Sequence, residues 1–225
     1  MKIKTELIID IPEDNDIHKF ASFPIFQEIF HQDCYRINDI INSSDARQNV
    51  IWDIGSHLGF FSLLCALRIQ KYEIHTFETL PIRVEEQRKI LEKFNNMNIN
   101  LCKFLGFVHD REKCKKFISR QDETVINQYI AEIKGVPFLS VEDYLKTNKV
   151  PDIIKIDMEG GEVGIIEELR ELGHLSNVKI ITGEWHFDLA YNYFKNELND
   201  LFNVEIIRTS DNNQWNTFFA KNKNL

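Results

Sequence analysis

The feature of this sequence that most limits its fold is an alternation. From residue 50 onward, largely apolar runs of strand length alternate with segments of helical spacing. Seven runs predict strands, at 50–54, 73–77, 98–105, 152–157, 178–182, 203–207 and 215–220. One predicted helix ends near Leu67, and others begin at Pro81, after Ser140, at Glu162 and at Leu189. Such alternation is typical of βαβ units, so the sequence predicts a doubly wound α/β sheet with helices on both faces.

The domain organisation follows from the absence of linkers, repeats and low-complexity tracts in the 225 residues. We expect one domain, 1–225, with a Rossmann-like core at 50–225. Residues 1–49 contain one amphipathic segment, 26–37, and are expected to cap the sheet on its substrate side. Residues 108–135 are polar and weakly periodic, and they predict no regular element.

Charge and cysteine content limit the partners. The 27 basic and 35 acidic residues give a formal net charge of −8, which disfavours binding to phosphate backbones. The four cysteines are widely spaced, without a C-x-x-C pair, which disfavours structural zinc and a disulfide framework. The N-terminus carries acids where a signal peptide needs an apolar run, and the apolar stretch 59–67 is too short to span a bilayer. We therefore expect a cytoplasmic protein with no nucleic-acid partner and no membrane insertion.

Two strand ends carry residues suited to a nucleoside-containing cofactor. The first strand ends Asp53-Ile-Gly55-Ser-His57-Leu-Gly59, where Gly55 permits a tight turn and Gly59 lets the next helix pack closely. Exposed amides at the helix start could meet a carboxylate or phosphate, and Asp53 suits an ammonium group. Glu78 ends the second strand at a spacing where an acid commonly accepts the two ribose hydroxyls. The alternatives are an ordinary strand–helix turn and a solvated glutamate.

Ionisable side chains concentrate at the ends of the fourth and fifth strands. The fourth ends in K-I-D-M-E-G-G-E, and period-two alternation puts Lys155, Asp157 and Glu159 on one side. The fifth is followed by G-E-W-H, which puts Glu184 and His186 on a common side. If the two strands are neighbours, both groups meet at one edge of the sheet, around one pocket. Burying so many charges is costly, which favours a functional site over the alternative, a structural ion-pair network.

These motifs resemble the FkbM-type S-adenosylmethionine-dependent methyltransferases over about 50–186. The matching runs are D-x-G-x-x-x-G at 53–59, F-E-x-x-P at 77–81, V-P-x-x-S-V-E-D-Y-L at 136–145, D-I-I-K-I-D-M-E-G-G-E at 152–162 and E-x-H at 184–186. The resemblance implies S-adenosylmethionine as cofactor, S-adenosylhomocysteine as product, and a seven-stranded sheet of order 3-2-1-4-5-7-6 with an antiparallel last strand. The sequence departs at His57, where the family usually has Asn, and at Thr79-Leu80, where it has Pro-Asn.

The strand ends and the resemblance together predict two residue sets. The cofactor-binding set is Asp53, Gly55, Ser56, His57, Gly59, Glu78, Thr79, Phe107 and Asp157. The catalytic set is Lys155, Asp157, Glu159, Glu184 and His186. His186 is the first choice for the base, because imidazole titrates near neutrality, and Glu184 or Glu159 would orient it. Asp157 is the second choice and could equally hold the methionine amine; a divalent ion on Asp157, Glu159 and Glu184 is possible but not favoured.

The resemblance implies O-methylation of a hydroxylated small molecule, and we expect a sugar or sugar nucleotide of surface polysaccharide biosynthesis. Lys113, Lys115 and Lys116 could meet an anionic acceptor, although a solvated face is the favoured interpretation. Two alternatives stay open: an NAD-dependent oxidoreductase, disfavoured by the glycine spacing, and a catalytically inactive nucleotide-binding domain of the same fold. The sequence makes no prediction of the oligomeric state.

Overall fold

The computed structural model describes residues 19–43, 49–69, 71–78, 81–93, 99–102, 140–158, 161–186, 192–209 and 215–225. Its elements are α1 (Lys19–Phe30), α2 (Ile37–Ser43), β1 (Asn49–Ile54), α3 (Phe60–Arg68), β2 (Tyr72–Phe77), α4 (Pro81–Glu92), β3 (Ile99–Cys102), α5 (Val141–Leu145), β4 (Ile153–Ile156), α6 (Glu162–Glu171), β5 (Ile180–His186), β6 (Phe202–Thr209) and β7 (Trp215–Asn222). Within these ranges, no helix is both long enough and apolar enough to span a bilayer.

Strands β1 to β7 form one mixed sheet in the order β3-β2-β1-β4-β5-β7-β6. The pairs between β1, β2, β3, β4 and β5 are parallel, whereas β7 lies antiparallel to both β5 and β6. All six residues of β1 are buried. Full burial on both faces explains why this strand has an almost unbroken apolar run rather than an alternating pattern. The predicted α/β class is confirmed.

Hydrophobic side chains fill the space on both faces of the sheet. On one face, Trp52 of β1 and Trp185 of β5 belong to a core that includes Ile165 of α6. On the other face, Ile51 of β1 packs with α3 and with Ile37 of α2. This second face carries Asp53, Lys155 and Thr182, which lie side by side on β1, β4 and β5. The polar residues of the candidate site therefore lie on the face covered by α1, α2 and α3.

The N-terminal region differs from its prediction. The segment 26–37 is not one helix, because α1 ends at Phe30 and α2 begins at Ile37. Between them, Asp33 and Arg36 have left-handed φ angles of 52° and 56°. The Asp33 carboxylate accepts hydrogen bonds from the backbone N–H groups of Ile37 and Asn38, which gives α2 its own N-terminus. The Asp33 cap therefore starts a separate helix, although the amphipathic pattern of 26–37 is continuous.

The boundaries of four strands and helices also differ from prediction. Strand β5 ends at His186 rather than at 182, because β7 pairs along its whole length. The predicted helix from Leu189 is described only as a π-helical turn, Tyr193–Glu197, followed by a 3₁₀ turn, Leu198–Asp200. Strand β6 extends to Thr209 and β7 to Asn222. The expectations for 103–135, including the end of the third strand, lie outside the described residues.

Candidate active site

The turn after β1 requires glycine. Gly55 has a φ of +70°, and a Cβ atom there would lie 1.7 Å from the Asp157 carbonyl oxygen. Gly59 has a φ of +76°, and its Cβ would lie 2.6 Å from Nε2 of Gln87. The first glycine therefore lets the turn pass directly against the end of β4, and the second lets α3 and α4 approach closely.

The first three amides of this turn are hydrogen-bonded to the end of β2 and to the residue after it. The N–H groups of Gly55 and Ser56 donate to the Phe77 carbonyl oxygen at 2.9 and 3.0 Å. The His57 N–H donates to Oε2 of Glu78 at 2.8 Å. These three amides hold the turn against β2; the expectation of an anion concerned the amides at the start of α3, and it stays a prediction. What the turn offers a ligand is the Ser56 hydroxyl, which is buried, lines the cavity and has no hydrogen-bond partner among the described residues.

Glu78 lies where the sequence predicted it, directly after β2. It is 8% exposed, lines the cavity, and its carboxylate is fixed by the His57 amide. A carboxylate held at this strand end beside the Gly55 turn can accept hydrogen bonds from a vicinal diol.

Asp53 is fully buried and does not line the described cavity. Its Oδ2 accepts a hydrogen bond from the Ser62 hydroxyl at 2.7 Å, and its Oδ1 lies 3.4 Å from Nζ of Lys155. The partner of this carboxylate is therefore the lysine, not a cofactor ammonium. Asp53 therefore acts on the cavity through Lys155, which holds the Gly55 turn.

Lys155 is a buried, fixed cation. Its Nζ donates to the Gly55 carbonyl oxygen at 2.6 Å and lies 3.9 Å from Oδ2 of Asp157. Burial lowers the pKa of Lys155, but the charges of Asp53 and Asp157 outweigh it and raise the pKa overall. The side chain therefore remains protonated and cannot act as a base, so its role is to tie the Gly55 turn to the acidic end of β4.

A cavity of about 360 Å³ opens between the strand ends and the N-terminal helices. This volume is in the usual range for a small-molecule site. Its described lining consists of strand-end and turn residues together with side chains of the N-terminal region: Ile25, Glu28, Ile29, Cys34, Tyr35, Gly55, Ser56, His57, Leu58, Phe60, Phe61, Phe77, Glu78, Lys155, Asp157, Met158 and Glu184.

One end of the cavity is acidic. Asp157 follows β4 and Glu184 lies on β5, and both line the space together with Glu28 of α1. Burial and the charges of Asp157 and Glu28 raise the pKa of Glu184 to about 8, although His186 and Lys155 act in the opposite direction. Glu184 therefore changes its protonation near neutral pH, the property expected of a general base or acid.

His186 is held differently from the prediction. Its Nδ1 lies 2.8 Å from Oε1 of Glu162, which is fully buried and also accepts the Met158 amide hydrogen. Its Nε2 lies 3.9 Å from Oε2 of Glu184, beyond hydrogen-bond distance. Glu162, rather than Glu184, therefore orients the imidazole. His186 is also not part of the described cavity lining, which weakens its case as the first-choice base.

Asp157, Glu184 and His186 each bring one ligand atom within 4.8 Å of the other two. A divalent ion could bind at such a spacing. However, the Tyr35 hydroxyl donates to Oδ2 of Asp157 at 3.0 Å, and Lys155 lies close to the same oxygen. Because a donor and a cation already compensate this carboxylate, we assign no metal ion to these residues.

Some predicted site residues cannot be located, and some lining residues were not predicted. Glu159, Thr79 and Phe107 lie outside the described residues. Tyr35 and Glu28 were missed, because they belong to an N-terminal region in which no motif marks a site. No pattern in the sequence marks Tyr35 as a site residue. Its hydrogen bond to Asp157 is visible only in the folded structure.

Known proteins with similar folds define the class. The structure is similar to the human methyltransferase 10 domain containing protein, at 15% identity and a TM-score of 0.55, over 95% of this chain and 87% of that chain. It is also similar to precorrin-6y C5,15-methyltransferase from Geobacter metallireducens GS-15, at 16% identity and a TM-score of 0.50, over 84% of this chain and 88% of that chain. The chain therefore has the α/β methyltransferase fold.

The family can then be stated. The model of the methyltransferase FkbM domain matches residues 53–221, so the chain belongs to this family, as the sequence motifs indicated. No curated protein matches the chain significantly. Family and fold together support S-adenosylmethionine-dependent methyl transfer.

Proposed function

We propose that this protein is an S-adenosylmethionine-dependent O-methyltransferase. Its acceptor is a hydroxyl group of a small molecule, a sugar or sugar nucleotide of surface polysaccharide biosynthesis. One observation carries the proposal: a single cavity joins the Gly55 turn and Glu78 to the carboxylates of Asp157 and Glu184. Residues suited to a nucleoside cofactor and residues suited to a proton transfer thus share one space.

The residues present fit the cofactor. When bound, it supplies an electrophilic methyl group that the acceptor oxygen takes as the carbon–sulfur bond breaks, leaving neutral S-adenosylhomocysteine. Glu78 offers a fixed carboxylate to the ribose hydroxyls, and the buried Ser56 hydroxyl offers a donor and an acceptor. The carboxylates that line the cavity favour a ligand that carries sulfonium and ammonium charges.

We assign the proton-accepting role to Glu184. An alcohol is a poor nucleophile until its proton leaves, and a positioned base contributes about 10² to 10⁴-fold. Glu184 lines the cavity, whereas His186 lies behind it with its Nδ1 bound to Glu162. With its pKa raised to about 8 by burial and neighbouring carboxylates, Glu184 is a stronger base than an ordinary glutamate. Lys155 and Tyr35 hold Asp157 beside it.

The cavity wall supports a neutral, hydroxylated acceptor. Phe60, Phe61 and Ile29 provide apolar surface next to the carboxylates of Glu28 and Glu184. A sugar ring has an apolar face and polar edges, so it suits a wall that combines aromatic rings with hydrogen-bond acceptors. The acidic end disfavours a phosphate at the reacting position, because like charges repel. If the acceptor is a sugar nucleotide, we expect its sugar at this end.

The test is an acceptor screen with the purified protein, in which mass spectrometry follows methyl transfer from S-adenosylmethionine to sugars, sugar nucleotides and oligosaccharides. We expect one acceptor to gain the mass of a methyl group on oxygen, with transfer by Glu184→Gln slower by about 10² to 10⁴-fold. Calorimetry with S-adenosylhomocysteine and with NAD provides the control for cofactor class. Binding of NAD alone would favour an oxidoreductase, and cofactor binding without transfer to any acceptor would contradict the proposed activity.

A further inference from the structure

Tyr35 is the residue that connects the N-terminal region to the acidic end of the cavity. It lies in the 31–36 turn between α1 and α2, outside the range 53–221 that the family model matches. It is 5% exposed and lines the cavity. The N-terminal region, which we expected to cap the sheet, therefore supplies a polar group to the site.

The hydroxyl of Tyr35 donates to one carboxylate oxygen of Asp157, Oδ2, at 3.0 Å. Lys155 Nζ lies 3.9 Å from the same oxygen. Burial, and then the negative charge of Asp157, raises the pKa of Tyr35, so the phenol keeps its proton and remains a donor. A hydrogen bond to an ionised acceptor is among the stronger ones in proteins. It fixes the orientation of the Asp157 carboxylate.

The rest of Tyr35 is held rigidly. The Thr182 hydroxyl of β5 donates to its carbonyl oxygen at 3.0 Å. The ring meets Phe61 edge to face, with centroids 5.9 Å apart, and Lys155 Nζ lies 5.4 Å from its centroid. Its neighbour Arg36 adopts a left-handed φ of 56°. Strained backbone that persists next to a buried side chain is often retained to place that side chain.

We propose that Tyr35 is a positioning residue of the methyl-transfer site: its hydroxyl fixes the orientation of the Asp157 carboxylate beside Glu184, which takes the acceptor proton. The inference rests on the proposed function and extends it to a residue that the family match does not cover. Besides Tyr35, the titratable groups that face Asp157 and Glu184 from the neighbouring elements are Glu28 of α1, Cys34 of the 31–36 turn, Lys155 of β4 and His186 of β5. Tyr35 itself donates a hydrogen bond directly to Asp157.

The test is a double-mutant cycle of Tyr35→Phe and Asp157→Asn. Phenylalanine keeps the ring packing and removes only the hydroxyl. We expect Tyr35→Phe to lower kcat about tenfold, the effect of losing one charge-assisted hydrogen bond, with KM for the acceptor and affinity for S-adenosylhomocysteine nearly unchanged. In the Asp157→Asn background the same change should have little further effect, because the two residues act as one unit.

A matched control is Tyr144→Phe. Tyr144 is also buried, and its hydroxyl bonds to Nδ1 of His75 within the core on the opposite face of the sheet. This variant loses a buried phenolic hydrogen bond but should keep the wild-type kcat. If Tyr35→Phe behaves like Tyr144→Phe in kcat, or adds fully to Asp157→Asn, the positioning role is refuted while the proposed function stands. If the wild type methylates no hydroxyl acceptor, the proposed function fails and the inference fails with it.

Discussion

Replacing Gly55 by alanine tests how closely the turn after β1 approaches β4. The new Cβ would lie 1.7 Å from the Asp157 carbonyl oxygen, so the end of β4 or the turn must shift. A left-handed φ costs a non-glycine residue about 1–2 kcal/mol. Overpacking a rigid region costs about 1–3 kcal/mol more. Together these terms predict a loss of roughly 2–5 kcal/mol in the free energy of unfolding, a Tm decrease of about 4–20 °C for a chain of this size.

Gly173→Ala is the control that separates strain from collision. Gly173 has a φ of +74°, nearly that of Gly55, but a Cβ there would meet nothing within 4 Å. We expect it to lose only the conformational part, about 1–2 kcal/mol. Thermal denaturation followed by circular dichroism measures both variants, and calorimetry at low temperature measures S-adenosylhomocysteine affinity in the folded protein. Equal Tm decreases in the two variants would refute the close approach.

Three further predictions concern the site. Glu78→Ala should weaken S-adenosylhomocysteine binding about ten- to a hundredfold, because buried ribose donors lose a charged acceptor, and calorimetry with unchanged affinity would contradict it. Glu184→Gln should lower kcat by about 10² to 10⁴-fold and abolish the rise of kcat with pH through about 8. The folded-state pKa of Glu184 lies above its ordinary value, so the unfolded chain ionises first and the wild type loses stability as pH rises toward about 8. Glu184→Gln has no such loss and should have the higher Tm at alkaline pH. His186→Ala should retain cofactor affinity and lose less kcat than Glu184→Gln; a greater loss would return the role of base to His186.

The sheet and the residues at its strand ends could be predicted because each depends on short-range pattern. Buried parallel strands leave apolar runs, and Gly55 and Glu78 stand at fixed distances from the ends of β1 and β2. Lys155, Asp157 and Glu184 converge because neighbouring parallel strands end at one edge. Local sequence carries this information directly.

The roles within the cluster could not be predicted, because they depend on contacts between distant segments. Which carboxylate orients His186 depends on how α6 begins, and Glu162 rather than Glu184 has the geometry. That Asp53 pairs with Lys155 rather than with a ligand depends on the register of β1 and β4. The contribution of Tyr35 depends on a contact across 122 residues of sequence, which no periodicity encodes.

The insertion of β7 beside β5 affects the order in which the site can be assembled. Strand β4 pairs with β5 only as far as Gly183, whereas Glu184 and His186 are paired with Thr217 and Trp215 of β7. During synthesis, a ribosome that has not yet delivered β7 has already released both the turn after β1 and Glu78. The segment of β5 that carries Glu184 therefore gains its ladder partner only after both have been synthesised. We therefore expect a chain that ends before Trp215 to lose the ladder that holds Glu184, and with it methyl transfer.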